Sequence, residues 1–180
     1  GILEDKNKLM TLHFKQPGDL LFLIGKSVED ISSSEYLYSH HKVKYSPAPY
    51  FNLDEEFEVQ ALVRKLIDNQ LINAAHDVSD GGLFITLLES AMAGNIGFNI
   101  ESDSDIRKDA YLFGEAQGRV VVSVSPDQLD EFIAIIADSD VEFTNLGSTG
   151  GNDLIIDDES FGTLEDYRNS YDSAIANKMN

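Results

Sequence analysis

The stretch Ala75-His76-Asp77-Val78-Ser79-Asp80-Gly81-Gly82-Leu83 commits the middle of this chain to a strand, an acid-and-glycine turn and a helix. Upstream, Leu71 to Ala75 is short, apolar and strand-like. Downstream, Leu83, Leu87, Leu88 and Ala91 recur at helical spacing until Gly94 ends the pattern. Between the two runs lie polar side chains able to bind a metal or accept protons. The two glycines let the backbone approach a ligand closely and aim free N–H groups from the first helical turn. An acidic group beside such a nest suits a metal–phosphate ligand.

The remaining periodicity places further elements around this unit. A strand is expected near Leu9 to Phe14, and a buried one at Asp19 to Gly25 after the Pro17-Gly18 turn. Ser32 to Glu35 can cap a short helix through Tyr36 to Tyr38, and Pro47 and Pro49 keep His40 to Asn52 irregular. Asn52 with Glu55 resembles a capping box for a helix whose apolar face is Val59, Leu62, Val63, Leu66 and Ile67. Strands are expected at Gly97 to Ile100 and at Arg119 to Val124, with a solvated acidic loop at Glu101 to Asp105. Ser125-Pro126 starts a helix that buries Leu129, Phe132, Ile133 and Ile136. Short strands follow at Val141 to Leu146 and Leu154 to Ile156, joined by a turn at Gly147 to Gly151. Thr163 caps a terminal helix expected to turn Leu164, Tyr167, Tyr171 and Ile175 inward. Without repeats or linkers, residues 1–180 read as one α/β layered domain, a mixed sheet covered by helices.

Charge and composition narrow the function. The chain carries 32 acidic against 13 basic residues, a formal net charge of −19. Nucleic-acid binding needs clustered Lys and Arg to neutralise phosphates, so it is excluded as a partner. A site for anionic phosphates would need positive potential from helix N-termini or a divalent cation. With no cysteine there are no disulfides, thiolate nucleophiles or Cys-based zinc sites, which fits a cytoplasmic protein. No apolar run approaches the roughly 20 residues a bilayer span needs, so a membrane role is not expected. The opening Gly1-Ile2-Leu3, without methionine, suggests a fragment.

Several motifs fail on spacing. Gly25-Lys26-Ser27 has Leu20 where a phosphate loop needs its first glycine. Asp77, Ser79 and Gly82 mimic a calcium loop, but its twelfth position is Leu88 rather than glutamate. His40 and His41 are adjacent, should point apart, and read as a solvated pair; His13 has no motif around it. Three clusters survive: Ser33 to Tyr36, His76 to Gly82, and Gly114 to Arg119. In an extended segment, alternation would put Glu115, Gln117 and Arg119 on one face, able to grip one polar ligand. Taken singly, each cluster also reads as a cap, a turn or an edge-strand salt bridge.

Together, "SSEYL", "AHDVSDGGL" and "LFGEAQGRVVVSV" resemble, in this order, the C-terminal domain of phosphoribosylformylglycinamidine synthase, of the aminoimidazole ribonucleotide synthetase superfamily. Gly18-Asp19 before a strand and the tail "YDSAIANKM" agree with that resemblance, which covers nearly the whole chain. It implies the C-terminal fragment of a longer ligase that uses ATP and glutamine-derived ammonia to form an amidine in purine biosynthesis, inactive when alone. It implies ATP or ADP with Mg2+ as cofactors, and the ATP-binding domains of the same chain and a glutaminase as partners. It also implies Asp77 as the metal ligand. Nucleotide or substrate contacts would come from Ser34, Glu35, His76, Ser79, Asp80, Gly81, Gly82, Glu115, Gln117 and Arg119. The chain resembles the second of two related halves, whose cleft is an auxiliary nucleotide site; no catalytic base is implied here. Ala116 stands where the sister motif has serine, and Gly118 where it has glutamate. A non-catalytic scaffold, or a relative of thiamine monophosphate kinase or selenide-water dikinase, is the alternative.

Overall fold

Successive side chains of a strand point to opposite faces, and the apolar run Leu20–Ile24 (β1) and the segment Val120–Val124 (β4), apolar but for Ser123, are buried on both. A computed structural model describes residues 5–179. Between those strands come α1 (Leu53–Asp68), β2 (Ala74–Asp77), α2 (Gly82–Gly94), β3 (Phe98–Ile100) and α3 (Lys108–Phe113). After them come α4 (Leu129–Ala137), β5 (Phe143–Thr149), β6 (Asp153–Ile156), β7 (Glu159–Thr163) and α5 (Leu164–Met179). The strands form one seven-stranded sheet in the order β2-β4-β1-β5-β3-β6-β7. Neighbours are antiparallel except β3 and β6, which makes the sheet mixed.

Each face has its own core. Leu21, Leu23 and Val121 pack with Leu83, Leu87 and Ala91 of α2 and with Tyr111 and Leu112 of α3. Phe22, Ile24, Val122 and Val124 pack with Val59, Leu62 and Leu66 of α1 and with Phe132 and Ile136 of α4. The layered α/β arrangement read from the sequence is therefore borne out. Asn52 caps α1 as expected, its Oδ1 accepting from the N–H groups of Asp54 (3.0 Å) and Glu55 (3.4 Å). Thr163 and Asp166 cap each other at the start of α5. Among the described residues no helix is long and apolar enough to cross a membrane.

Four expectations are corrected. Leu9 to Phe14 is not a strand: Leu9 is exposed, Phe14 is buried under α2, and only Thr11 offers its carbonyl to β2, at Ala75 N–H. β2 starts at Ala74, not Leu71, and therefore includes His76 and Asp77, which point to opposite faces. Gly147 to Thr149 continue β5 instead of turning, and β7, which no periodicity announced, returns beside β6. Tyr171 and Ile175 of α5 face solvent, at 68% and 74% exposure, because only Leu164 of that helix is buried.

Candidate nucleotide cleft

Antiparallel pairing of β2 with β4 sets Asp77 opposite Val120, and Val78 N–H extends the ladder to the Arg119 carbonyl (2.8 Å). The turn leaving β2 and the loop entering β4 are thereby neighbours. Gly81 (φ +86°) and Gly82 (φ +72°) both adopt left-handed backbone at the start of α2. At Gly82 a side chain would also collide with the chain leaving α3: a Cβ would lie 2.7 Å from Phe113 Cα and 2.8 Å from the Gly114 carbonyl oxygen. The glycine thus allows α2 and α3 to touch, which brings Glu115 over the turn.

The N–H groups of the two glycines are not free, contrary to the sequence expectation. Gly81 N–H donates to Glu115 Oε1 (2.8 Å), and Gly82 N–H donates to the Ser79 carbonyl (3.0 Å). Glu115 Oε1 also accepts from Glu35 N–H (2.8 Å), so one carboxylate joins all three sequence clusters.

Between these segments and α1 lies a cleft of about 380 Å³. Its wall includes Asp77, Ser79, Asp80, Glu115, Gln117 and Arg119, with Glu56 and Gln60 of α1 opposite. Asp77, Ser79, Asp80 and Gln117 are exposed, and among the described residues their side chains have no hydrogen-bond or ion-pair partner. Arg119 is 3% exposed. Its Nη2 donates to the Gly114 carbonyl (2.6 Å) and its Nε to the Ala116 carbonyl (3.3 Å). Burial pushes its pKa down to about 10, opposed by Tyr111, so at neutral pH it is still charged. Of the charged lining groups, four are carboxylates (Glu56, Asp77, Asp80 and Glu115), facing that one guanidinium.

Other candidates sit elsewhere. His76 turns toward α2: its Nδ1 is 3.1 Å from both the Thr86 carbonyl oxygen and Ser90 Oγ, and its Nε2 is 3.5 Å from Glu89. Strand alternation keeps it off the face that carries Asp77. Its serine partner, Ser90, is fully buried and beyond the reach of a substrate. Ser34 is also buried; its Oγ donates to the Ile31 carbonyl (2.8 Å) and accepts from Leu37 N–H (3.2 Å), just ahead of a five-residue π-helix at Tyr36–His40. The Glu35 carboxylate accepts from the Ser39 hydroxyl within that π-helix. His40 and His41 do not point apart, since both rings pack on Tyr36, with centroids 4.9 Å from each other.

The common face expected of Glu115, Gln117 and Arg119 is absent, because Gly118 (φ +76°) interrupts the extended backbone between the last two. Gln117 ends at the mouth of the cleft and Arg119 beneath it. Glu56 escaped the sequence reading. Its Oε2 is buried without a hydrogen-bond partner among the described residues, while its Oε1 accepts from Gln60 (2.7 Å). Its one signal was position: three residues before buried Val59, it shares that inward side of α1. Among the described residues no group of three His, Cys, Asp or Glu side chains is placed to hold a metal ion.

A family profile described as "AIR synthase related protein, C-terminal domain" matches residues 16–157. The phosphoribosylformylglycinamidine synthase subunit PurL of Moorella thermoacetica is 38% identical over 156 residues, covering 87% of this chain and 21% of that protein. The chain thus spans about a fifth of the length of the curated relatives it matches. Thermotoga maritima PurL complexed with FGAR superposes with a TM-score of 0.75 at 15% identity, over 89% of this chain and 29% of that one. Thiamine-monophosphate kinase from Stenotrophomonas maltophilia superposes at 0.58 and 19% identity, over 84% and 54% of the two chains. At these identities the structural likeness is one of fold.

Proposed function

This chain belongs to the AIR synthase related C-terminal domain family, and from that premise we propose that it is the C-terminal domain of a phosphoribosylformylglycinamidine synthase. The complete enzyme would convert formylglycinamide ribonucleotide to its amidine in the cytoplasm, using ATP and ammonia from a glutaminase. Residues 1–180 would form one domain of that ligase, inactive without the ATP-binding domains of the same chain. Support comes from the PurL relatives, 38% identical in the first case.

The single structural observation that carries a ligand role is the cleft beside Asp77. Phosphates entering it would meet four carboxylates and one buried guanidinium, so a divalent cation must accompany them. The unpaired Asp77 carboxylate fits magnesium, which binds through one or two carboxylates plus phosphate oxygens and water, without needing a cage of protein ligands. Bound there, magnesium would supply charge neutralisation. Asp77 would hold it, with Asp80 beside it in the turn. Ser79 and Gln117 would offer hydrogen bonds at the mouth, and Arg119 would give positive potential from beneath. T. maritima PurL has been solved complexed with ATP, which agrees with a nucleotide as the ligand.

One observation favours an auxiliary over a reacting site: Glu115 already holds Gly81 N–H, leaving that donor closed to substrate. The test is an assay of the native protein that carries this sequence. ATP hydrolysis that depends on formylglycinamide ribonucleotide and ammonia is expected from it, and none from residues 1–180 alone. A native protein that ignores that substrate overturns the proposal.

A further inference from the structure

We infer that Glu115 is a latch: one carboxylate oxygen fastens the glycine turn, which lines the cleft, to the flap of residues 35–45 behind it, so the two move together. The latch takes its purpose from the cleft reading above, but its existence does not depend on any ligand.

The neck of the flap is closed by Ser33, whose N–H donates to Ser46 Oγ (2.6 Å) and whose hydroxyl donates to the Pro47 carbonyl (2.8 Å), but beyond that neck little holds it. The chain enters it through left-handed backbone at Ser33 (φ +52°) and bends within it at Lys42 (φ +60°), and its π-helix contains no buried residue. Its own hydrogen bonds are local: Tyr38 N–H to the Ser34 carbonyl, Val43 N–H to the Leu37 carbonyl, and Lys42 Nζ to the Ser39 carbonyl. Among the described residues, the hydrogen bond that leaves residues 35–45 for a distant element is Glu35 N–H to Glu115 Oε1. Beyond its neck, the flap also meets the body of the domain through a stack of Tyr36 on Phe113, with ring centroids 4.9 Å apart. A hollow of about 270 Å³ lies between flap and turn, walled by Glu35, Tyr38, Asp80 and Glu115.

Glu115, by contrast, stands on a fixed base. Gly114 and Ala116 on either side are buried, and the Arg119 guanidinium clamps both of their carbonyls. A carboxylate oxygen has two lone-pair directions, and here each takes one N–H at 2.8 Å. One of those donors opens α2, where the helix dipole favours a negative group. Arg119 therefore positions Glu115, and Glu115 positions both walls.

Amide hydrogen exchange of the ligand-free chain, read residue by residue by NMR, tests this. Glu115→Ala is expected to speed exchange at both Gly81 and Glu35 by about tenfold or more, with β1 and β4 unchanged. Glu115→Gln keeps the reach and one acceptor oxygen, and is expected to restore most protection at both. Glu115→Asp keeps the charge but is one methylene short, and is expected to lose at least one of the two. Either amide unmoved by Glu115→Ala, or Glu115→Gln behaving like Glu115→Ala, overturns the latch. If β1 and β4 also loosen in the alanine variant, the Gln and Asp variants decide between reach and charge. Because no nucleotide is added, failure here leaves the ligand reading standing, and the reverse holds too.

Discussion

Arg119 lies almost wholly out of water without an ion pair among the described residues, and it survives there by bonding the carbonyls of its own loop. The sequence showed the cation but not this use of it, since alternation assumes an unbroken strand and Gly118 breaks it. Tyr111 is the neighbouring liability. Its hydroxyl is buried with no hydrogen-bond partner among the described residues, and burial, reinforced by Asp103 and opposed by Arg119, pushes its pKa up to about 12. Tyr111→Phe removes an unpaired polar group and keeps the ring. It is expected to be neutral or stabilising by about 1 kcal/mol at pH 7. Above pH 10 the gap should widen. An unfolded tyrosine loses its proton near pH 10 while the folded one keeps it to about 12, so the wild type loses stability as pH rises through that window. A shift of that size corresponds to roughly 2–3 kcal/mol by pH 12 relative to the variant. Urea unfolding of both proteins across pH 7–12 measures it, and a constant gap contradicts the burial of Tyr111.

Elements were legible where apolar periodicity is strong and obscure where contacts rather than periodicity define them. β1, β4, α1 and α2 each carry a run of apolar residues long enough to read. β7 does not: Glu159-Ser160-Phe161-Gly162-Thr163 is largely polar, and its hairpin turns through Asp157 (φ +53°) and Asp158 (φ +62°), without the glycine that usually marks such a turn. α5 misled in the opposite sense, since Tyr171 and Ile175 have helical spacing but no core beneath them. The glycine turn was read correctly as a junction, while its reason, the contact of α2 with α3, lies over 30 residues away in sequence. Gly82→Ala forces a side chain into left-handed backbone and against Phe113. It is expected to cost about 2 kcal/mol or more by thermal or urea unfolding. Gly150→Ala, where a Cβ meets nothing within 4 Å, is the control and should cost little. Equal effects would contradict the close approach.

At the scale of the whole molecule, a net charge of −19 makes any phosphate site depend on local structure. The sheet pairing of β2 with β4 supplies that structure by gathering residues from two of the three sequence clusters and α1 around one cleft, while Glu115 ties the third cluster on behind it. That clusters would meet was legible; which members would face the cleft was not, because strand direction removes His76 and hydrogen bonding occupies Ser34 and Glu115. What stays exposed and unpaired is Asp77, Ser79, Asp80 and Gln117, with Arg119 beneath. Asp77 as a magnesium–nucleotide ligand is the central claim, and an NMR titration of Mg·ADP into this chain tests it most directly. Weak binding is expected, with shifts centred on Asp77 to Gly82 and Gln117 to Arg119 that vanish when magnesium is chelated and in Asp77→Ala. Shifts elsewhere only, no shifts at all, or shifts that persist unchanged in Asp77→Ala would contradict it.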